Sequence, residues 1–216
     1  MRARATRPVL AALMMLACAL ALQAQRRAPH KAATPAAALG PGTYVVFITS
    51  KGSFTAQLFP QQAPKAVGNF IALAEGKQPY RSPLTNMLSS APFYTGLLFF
   101  RTIPGSMIQT GDLLNDGTGT LGYQLPLEKN GLKFDRPGRM ALAQVAGDAS
   151  SRGAQIFFTL EPVPTLDKEG FLIIGQIVRG LDVAKAISLG PRKKGYTDEP
   201  EYPAVLRNVR IEVRSK

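Results

Sequence analysis

The sequence predicts a mainly β domain, a closed eight-stranded antiparallel barrel capped by two α-helices. Three observations predict it. Eight short segments of β-branched, aromatic or alternating apolar character are spread between Tyr44 and Val213. Two segments alone carry apolar residues at helical spacing, and they lie far apart in the chain. Closing such a sheet on itself also removes the exposed strand edges that an open sheet must protect.

Taken in order, Tyr44–Ile48 and Phe54–Phe59 flank the turn signal Ser50-Lys51-Gly52-Ser53 and read as a hairpin that ends at Pro60. Pro64 opens a helix through Ala74, because proline suits a first turn whose N–H groups have no helical partner. Val67, Phe70, Ile71 and Ala74 share its apolar face, and Gly76 stops it. Residues 77–95 hold three prolines, two tyrosines and a Ser-Ser pair, and read as a long surface loop rather than core. Leu97–Thr102 and Met107–Gln109 are strands around the Pro104-Gly105 turn. Asp116–Gly122 is a glycine-rich loop, but no Lys-Ser/Thr pair or helix follows, which argues against a phosphate cradle. Arg139–Val145 and Gln155–Leu160 are strands on either side of a polar loop at Gly147–Gly153. Phe171–Val178 is a nearly continuous apolar strand. Leu181–Leu189 reads as the second helix, closed by Gly190 and Pro191, and Val205–Val213 alternates as the last strand.

The start of the chain reads differently. Arg2, Arg4 and Arg7 precede an apolar run from Val9 to Leu22, the pattern of a secretory signal over residues 1–24. The run is short of the ~20 residues a membrane span needs. Cleavage is expected after Ala24, with Ala21 nearly as suitable. Residues 25–42 are rich in Ala and Pro and read as a disordered linker to a folded domain over 43–216. An exported protein is therefore expected, periplasmic or secreted, or tethered to the membrane if the signal is retained. The formal charge of the 216-residue chain is +12, and removing the three signal arginines leaves about +9. Such a surface favours at most weak electrostatic association with an anionic membrane, and no motif points to nucleic acid.

Two absences narrow the chemistry. The single cysteine, Cys18, lies in the signal, and the single histidine, His30, lies in the linker. The domain therefore has no Ser-His-Asp triad, no Cys-His pair and no conventional zinc ligand set, and neither a metal nor a cofactor is expected. Its chemistry falls to Arg, Lys, Tyr, carboxylates or polar contacts.

One segment carries a family signature. Phe99-Phe100-Arg101-Thr102-Ile103-Pro104-Gly105-Ser106-Met107-Ile108-Gln109-Thr110-Gly111-Asp112 resembles the central motif of the cyclophilins. Ala63-Pro64-Lys65-Ala66-Val67-Gly68-Asn69-Phe70, Gly117-Thr118-Gly119, Gly153-Ala154-Gln155-Ile156-Phe157-Phe158, Leu166-Asp167 and Gly175-Gln176-Ile177-Val178-Arg179-Gly180 stand in the family's order around it. The resemblance covers about residues 43 to 214 and implies a peptidyl-prolyl cis-trans isomerase. Its partners would be proline-containing, unfolded or partly folded polypeptides, and a monomer is expected. A low-activity proline-peptide binding module or chaperone is the second reading.

The resemblance also implies the site. Arg101 would be the catalytic residue, donating a hydrogen bond to the prolyl nitrogen of a twisted amide. Met107, Phe157 and Leu166 would wall the proline pocket, with Phe171 closing one side. Gln109 would touch the substrate backbone and hold Arg101. Ala143 and Gln144 would pair with the substrate backbone, and Gln155 would line the subsite ahead of the proline. Ser106 stands where the family usually has Phe, so a compensating side chain is expected from Phe100 or from residues 77–95. Thr165 stands where cyclosporin-sensitive members have Trp.

Overall fold

The computed structural model describes residues 38–144, except 124 and 127, and residues 151–215. The signal, Cys18, His30 and residues 25–37 of the linker lie outside the described residues, as does part of the expected polar loop at 147–153.

Eleven strands and two α-helices are described. β1 (Gly42–Thr49) and β2 (Gly52–Leu58) form the expected hairpin, and α1 (Pro64–Ala74) follows. Then come β3 (Tyr80–Arg81), β4 (Leu88–Ser89), β5 (Leu97–Leu98), β6 (Arg101–Ile103) and β7 (Met107–Thr110). The rest are β8 (Arg139–Gln144), β9 (Ser151–Thr159), a 3-10 turn (Pro164–Lys168), β10 (Ile173–Arg179), α2 (Leu181–Ser188) and β11 (Val205–Arg214).

Nine strands form one antiparallel sheet in the order β5-β11-β1-β2-β10-β8-β9-β7-β6. Its two edge strands are consecutive in the chain. Leu97-Leu98 pairs with β11, and Arg101–Ile103 pairs with β7. One stretch of backbone thus supplies both edges of a curled, barrel-like sheet, which has nine strands where the sequence predicts eight. The expected single strand Leu97–Thr102 is interrupted at Phe99-Phe100, because the chain changes partner there. A regular strand sends successive side chains to opposite faces. Here both phenylalanines are buried, Phe99 in the main core and Phe100 toward the opposite side, where the cleft described below lies.

Phe47, Phe54 and Phe158 centre the barrel interior. The first two stack at 4.8 Å, and Phe158 meets them edge-on at 5.1 and 5.2 Å. α1 lies against β9 and β11, sending Phe70 toward Phe47 and Tyr94. α2 lies against β2, β6 and β7. No side chain of α1's own first turn caps the helix. Its free N–H groups at Lys65 and Ala66 donate instead to the two carboxylate oxygens of Glu128, at 3.1 and 2.8 Å.

Residues 77–95 correct the surface-loop expectation. Tyr80, Phe93 and Tyr94 are all buried in the main core, and the Tyr94 hydroxyl donates to the Ala154 carbonyl at 2.9 Å. Burying three aromatic rings outweighs the turn-forming prolines around them. The surface part is the short β3–β4 hairpin, whose Leu84, Met87 and Leu88 are exposed. β9 also begins at Ser151, earlier than the expected Gln155.

Candidate active site

Strand alternation sorts β7, β8, β9 and β10 into an inner and an outer face. Ile108, Met140, Leu142, Ile156, Phe158 and Ile174 belong to the barrel core. Their neighbours Met107, Ala141, Ala143, Phe157 and Ile173 belong to a second, smaller cluster on the other face. The register aligns these outer residues, with Phe157 opposite both Gln109 and Ala141, and Met107 opposite Thr159. A cleft of about 460 Å³ opens on this face.

All ten residues expected at the site line that cleft. Met107, Phe157, Leu166 and Phe171 form its apolar part, with Ala143 at its floor. Phe157 is fixed on two sides, edge-on to Phe171 at 5.1 Å and stacked on Phe134 at 5.9 Å. Leu166 is presented by the 3-10 turn, which is pinned to the backbone of Phe134: Val163 N–H donates to the Phe134 carbonyl and Phe134 N–H to Asp167 Oδ1, both at 2.9 Å. The Gln144 side chain is committed to the Gly170 carbonyl, to which it donates at 2.7 Å across the cleft rim.

The polar part is a directional chain. The buried Gln155 donates from Nε2 to the carbonyls of Gly117 and Gly119, each at 3.1 Å. That turns its Oε1 toward Gln109, whose Nε2 donates to it at 3.0 Å. Gln109 must then offer Oε1 on its other side, and Arg101 Nη1 donates to it at 3.4 Å. An amide has one acceptor end and one donor end, so the two loop carbonyls set the polarity of the whole row. Asp112 holds the loop that carries them. Its buried carboxylate accepts from the N–H groups of Leu114, Asp116, Gly117 and Gly119 at 2.7 to 3.3 Å. A methyl group at position 119 would collide with that carboxylate, so the loop closes around glycine.

Arg101 begins β6, directly across from Gln109. Its Nε donates to Asp198 Oδ2 at 2.7 Å, so the guanidinium is held between a carboxylate and an amide oxygen. The remaining N–H groups of Nη1 and Nη2 have no partner assigned by these two bonds.

The cyclophilin type peptidyl-prolyl cis-trans isomerase/CLD family model matches residues 44–211. The chain belongs to this family. Among its relatives are peptidyl-prolyl cis-trans isomerase B of Streptomyces anulatus, 36% identical over 79% of this chain and 97% of the relative, and peptidyl-prolyl cis-trans isomerase A of Mycobacterium tuberculosis, 33% identical over 76% and 88%. A cyclophilin type isomerase of Cryptosporidium parvum has a similar structure, with a TM-score of 0.66 at 26% identity, covering 80% of this chain and 99% of that one. The same protein was also solved in the presence of the dipeptide Ala-Pro, with a TM-score of 0.65. This cyclophilin is a peptidyl-prolyl cis-trans isomerase.

Sequence reasoning missed several parts of the site. Asp198 and Arg101 are 97 residues apart, and no local pattern links them. Phe134 did leave a signal, as a lone ring in the charged run Lys133-Phe134-Asp135-Arg136. Ile103, Thr159 and Val163 line the cleft together with Ser106. Of the side chains expected to make up for a ring at Ser106, Phe100 lines the cleft, with an edge near Gly117. No residue of 77–95 does.

Proposed function

We propose that this cyclophilin speeds X-Pro rotation in exported polypeptides, with Arg101 meeting the prolyl nitrogen and the Phe157 wall holding the ring. Rotation about the peptide bond breaks amide resonance against a barrier of roughly 18–20 kcal/mol. In the twisted state the prolyl nitrogen regains its lone pair and accepts a hydrogen bond better than in the planar amide. A donor placed there therefore favours the transition state over the bound substrate, which raises the rate. No proton is transferred and no covalent bond forms. A guanidinium suits the task because it stays charged at any working pH.

The observation that carries this reading is the meeting of two halves in one cleft. A guanidinium held by Asp198 and Gln109 faces a cavity that also holds Met107, Phe157, Leu166 and Phe171. The Ala-Pro dipeptide named for the Cryptosporidium structure supports a proline ring as the occupant. In a peptide assay that follows cis-to-trans conversion, Arg101→Ala is expected to lower kcat/KM roughly a hundredfold, the usual scale for losing a transition-state donor. Unchanged turnover in that variant would remove Arg101 from the mechanism.

The clients are proposed from the first 24 residues, whose basic start and apolar run support export. Uncatalysed X-Pro isomerisation takes tens to hundreds of seconds, slow enough to limit folding outside the cell. Mass spectrometry of the exported chain is expected to show an N-terminus at Gln25.

A further inference from the structure

Arg101 reaches the cleft on a long side chain that rotates freely unless something holds it. Gln109 holds one Nη corner, at a distance of 3.4 Å. The shorter contact, 2.7 Å from Nε to Asp198 Oδ2, comes from outside the barrel strands, in the segment between α2 and β11. That segment is built to present the carboxylate. Its two limbs are joined where Arg192 bridges Pro200, where Glu201 N–H donates to the Pro191 carbonyl at 2.9 Å, and where Lys193 N–H donates to the Glu199 carbonyl at 2.9 Å. The Lys193 ammonium also pairs with the Glu199 carboxylate at 2.6 Å. Asp198 is itself tied to the residue after the arginine, since its carbonyl accepts from Thr102 N–H at 2.7 Å. One loop residue thus grips β6 by its backbone and the Arg101 guanidinium by its side chain.

We infer that Asp198 is a positioning residue for the isomerisation: it holds the Nε edge of Arg101 so that the Nη groups face the prolyl nitrogen. The inference rests on the reading of Arg101 given above and adds what keeps that residue in register. Ordering the arginine before substrate arrives means that its rotamer entropy is not lost in the transition state. Such a contact acts on kcat. The planar ground state is held by the apolar wall and does not need the guanidinium in place, so KM stays where it was. The pair is partly exposed, at 44% and 38% of the two side chains, which limits the size of the effect.

The test uses the full chain as wild type, Asp198→Asn, Asp198→Ala and Arg101→Ala, with kcat and KM measured separately. Asp198→Asn keeps shape and removes charge, and it is expected to lower kcat about threefold to fivefold with KM unchanged. Asp198→Ala is expected to lower kcat further. The second readout is the Nε–H resonance of Arg101 in an NMR spectrum, which should shift and exchange faster with water in Asp198→Asn while the backbone amide pattern of β6 and β7 persists. An Asp198→Asn protein with wild-type kcat overturns the inference, as does one whose kcat falls while the Nε–H signal stays in place. A rise in KM at constant kcat overturns it as well, since Asp198 would then be binding substrate. Wild-type activity in Arg101→Ala overturns the mechanism beneath it, an outcome read independently of the Asp198 variants.

Discussion

Ser106 sits in the turn between β6 and β7, where its N–H donates to the Ile103 carbonyl at 3.0 Å and its carbonyl accepts from Leu160 N–H at 2.7 Å. Both bonds use the backbone, so the side chain is free to vary without loosening the turn. Facing the same cleft are Ile103, Thr159 and Val163, small or branched side chains that leave room where a ring would stand. The Thr159 hydroxyl is buried and bonds to nothing among the described residues, so this end of the cleft is also less apolar than the Phe157 end. Substituting Ser106→Phe should add apolar contact with the proline ring worth about 1 kcal/mol, a part of what full burial of such a side chain brings. The expected outcome is a KM for an X-Pro peptide lowered about fivefold, with kcat little changed, since the wall touches planar and twisted forms alike. Steady-state kinetics on the two proteins checks it. A raised KM would mean that Ile103 and Val163 already fill the space and the ring is overpacked.

Among the elements, α1 shows most plainly what the chain spells out and what it does not. Pro64, the apolar positions Val67, Phe70 and Ala74, and Gly76 marked both ends of the helix, and the structure has the same bounds. Nothing local marked its cap, because Glu128 comes from more than 60 residues away. The carboxylate meets both orphan N–H groups and the positive end of the helix dipole. Glu128→Ala is expected to lower stability by about 1 kcal/mol, read as a reduced midpoint in thermal or urea unfolding. Glu128→Gln, which keeps one acceptor, should fall between. The same division runs through the site. Arg101, Gln109 and Met107 stand in one contiguous motif and could be read directly, whereas Asp198 and Phe134 take their places through tertiary contacts. Alternation could say that Phe157 and Phe158 face opposite ways, but not which of them faces the core. Residues 77–95 misled because the prolines signal turns, while the three rings that anchor the segment have no period to read.

At the scale of the whole molecule, the absence of His and Cys from residues 43–216 sets how the protein responds to pH. No group of the ordinary kind titrates between pH 6 and 9 in the domain, so kcat/KM is expected to be flat across that range. Stability has limits on both sides. Hydrogen bonds from Arg136 and then Arg139 hold the Asp135 carboxyl well below its usual range, and hydrogen bonds from Arg214 and then Arg210 lower that of Glu212. A carboxyl depressed in the folded state contributes stability above its unfolded pKa and loses it as pH falls through the folded value, so the acid limb lies below about pH 4. Tyrosines govern the alkaline side. Burial raises Tyr94 well above its usual value, helped by the neighbouring Tyr123, and burial pushes Tyr123, whose hydroxyl donates to Asn69 Oδ1 at 2.8 Å, up to about 12. The folded protein then keeps protons that the unfolded chain releases from about pH 10 upward. Stability gained from these protons is complete below pH 10 and declines as pH rises through the interval up to the folded pKa. The midpoint of thermal unfolding should be level from about pH 5 to 9 and fall steadily above 10. Tyr123→Phe should lower the plateau, since the Asn69 contact is lost, yet flatten the slope between pH 10 and 12. A slope unchanged in Tyr123→Phe and in Tyr94→Phe would place the alkaline transition on the lysines instead.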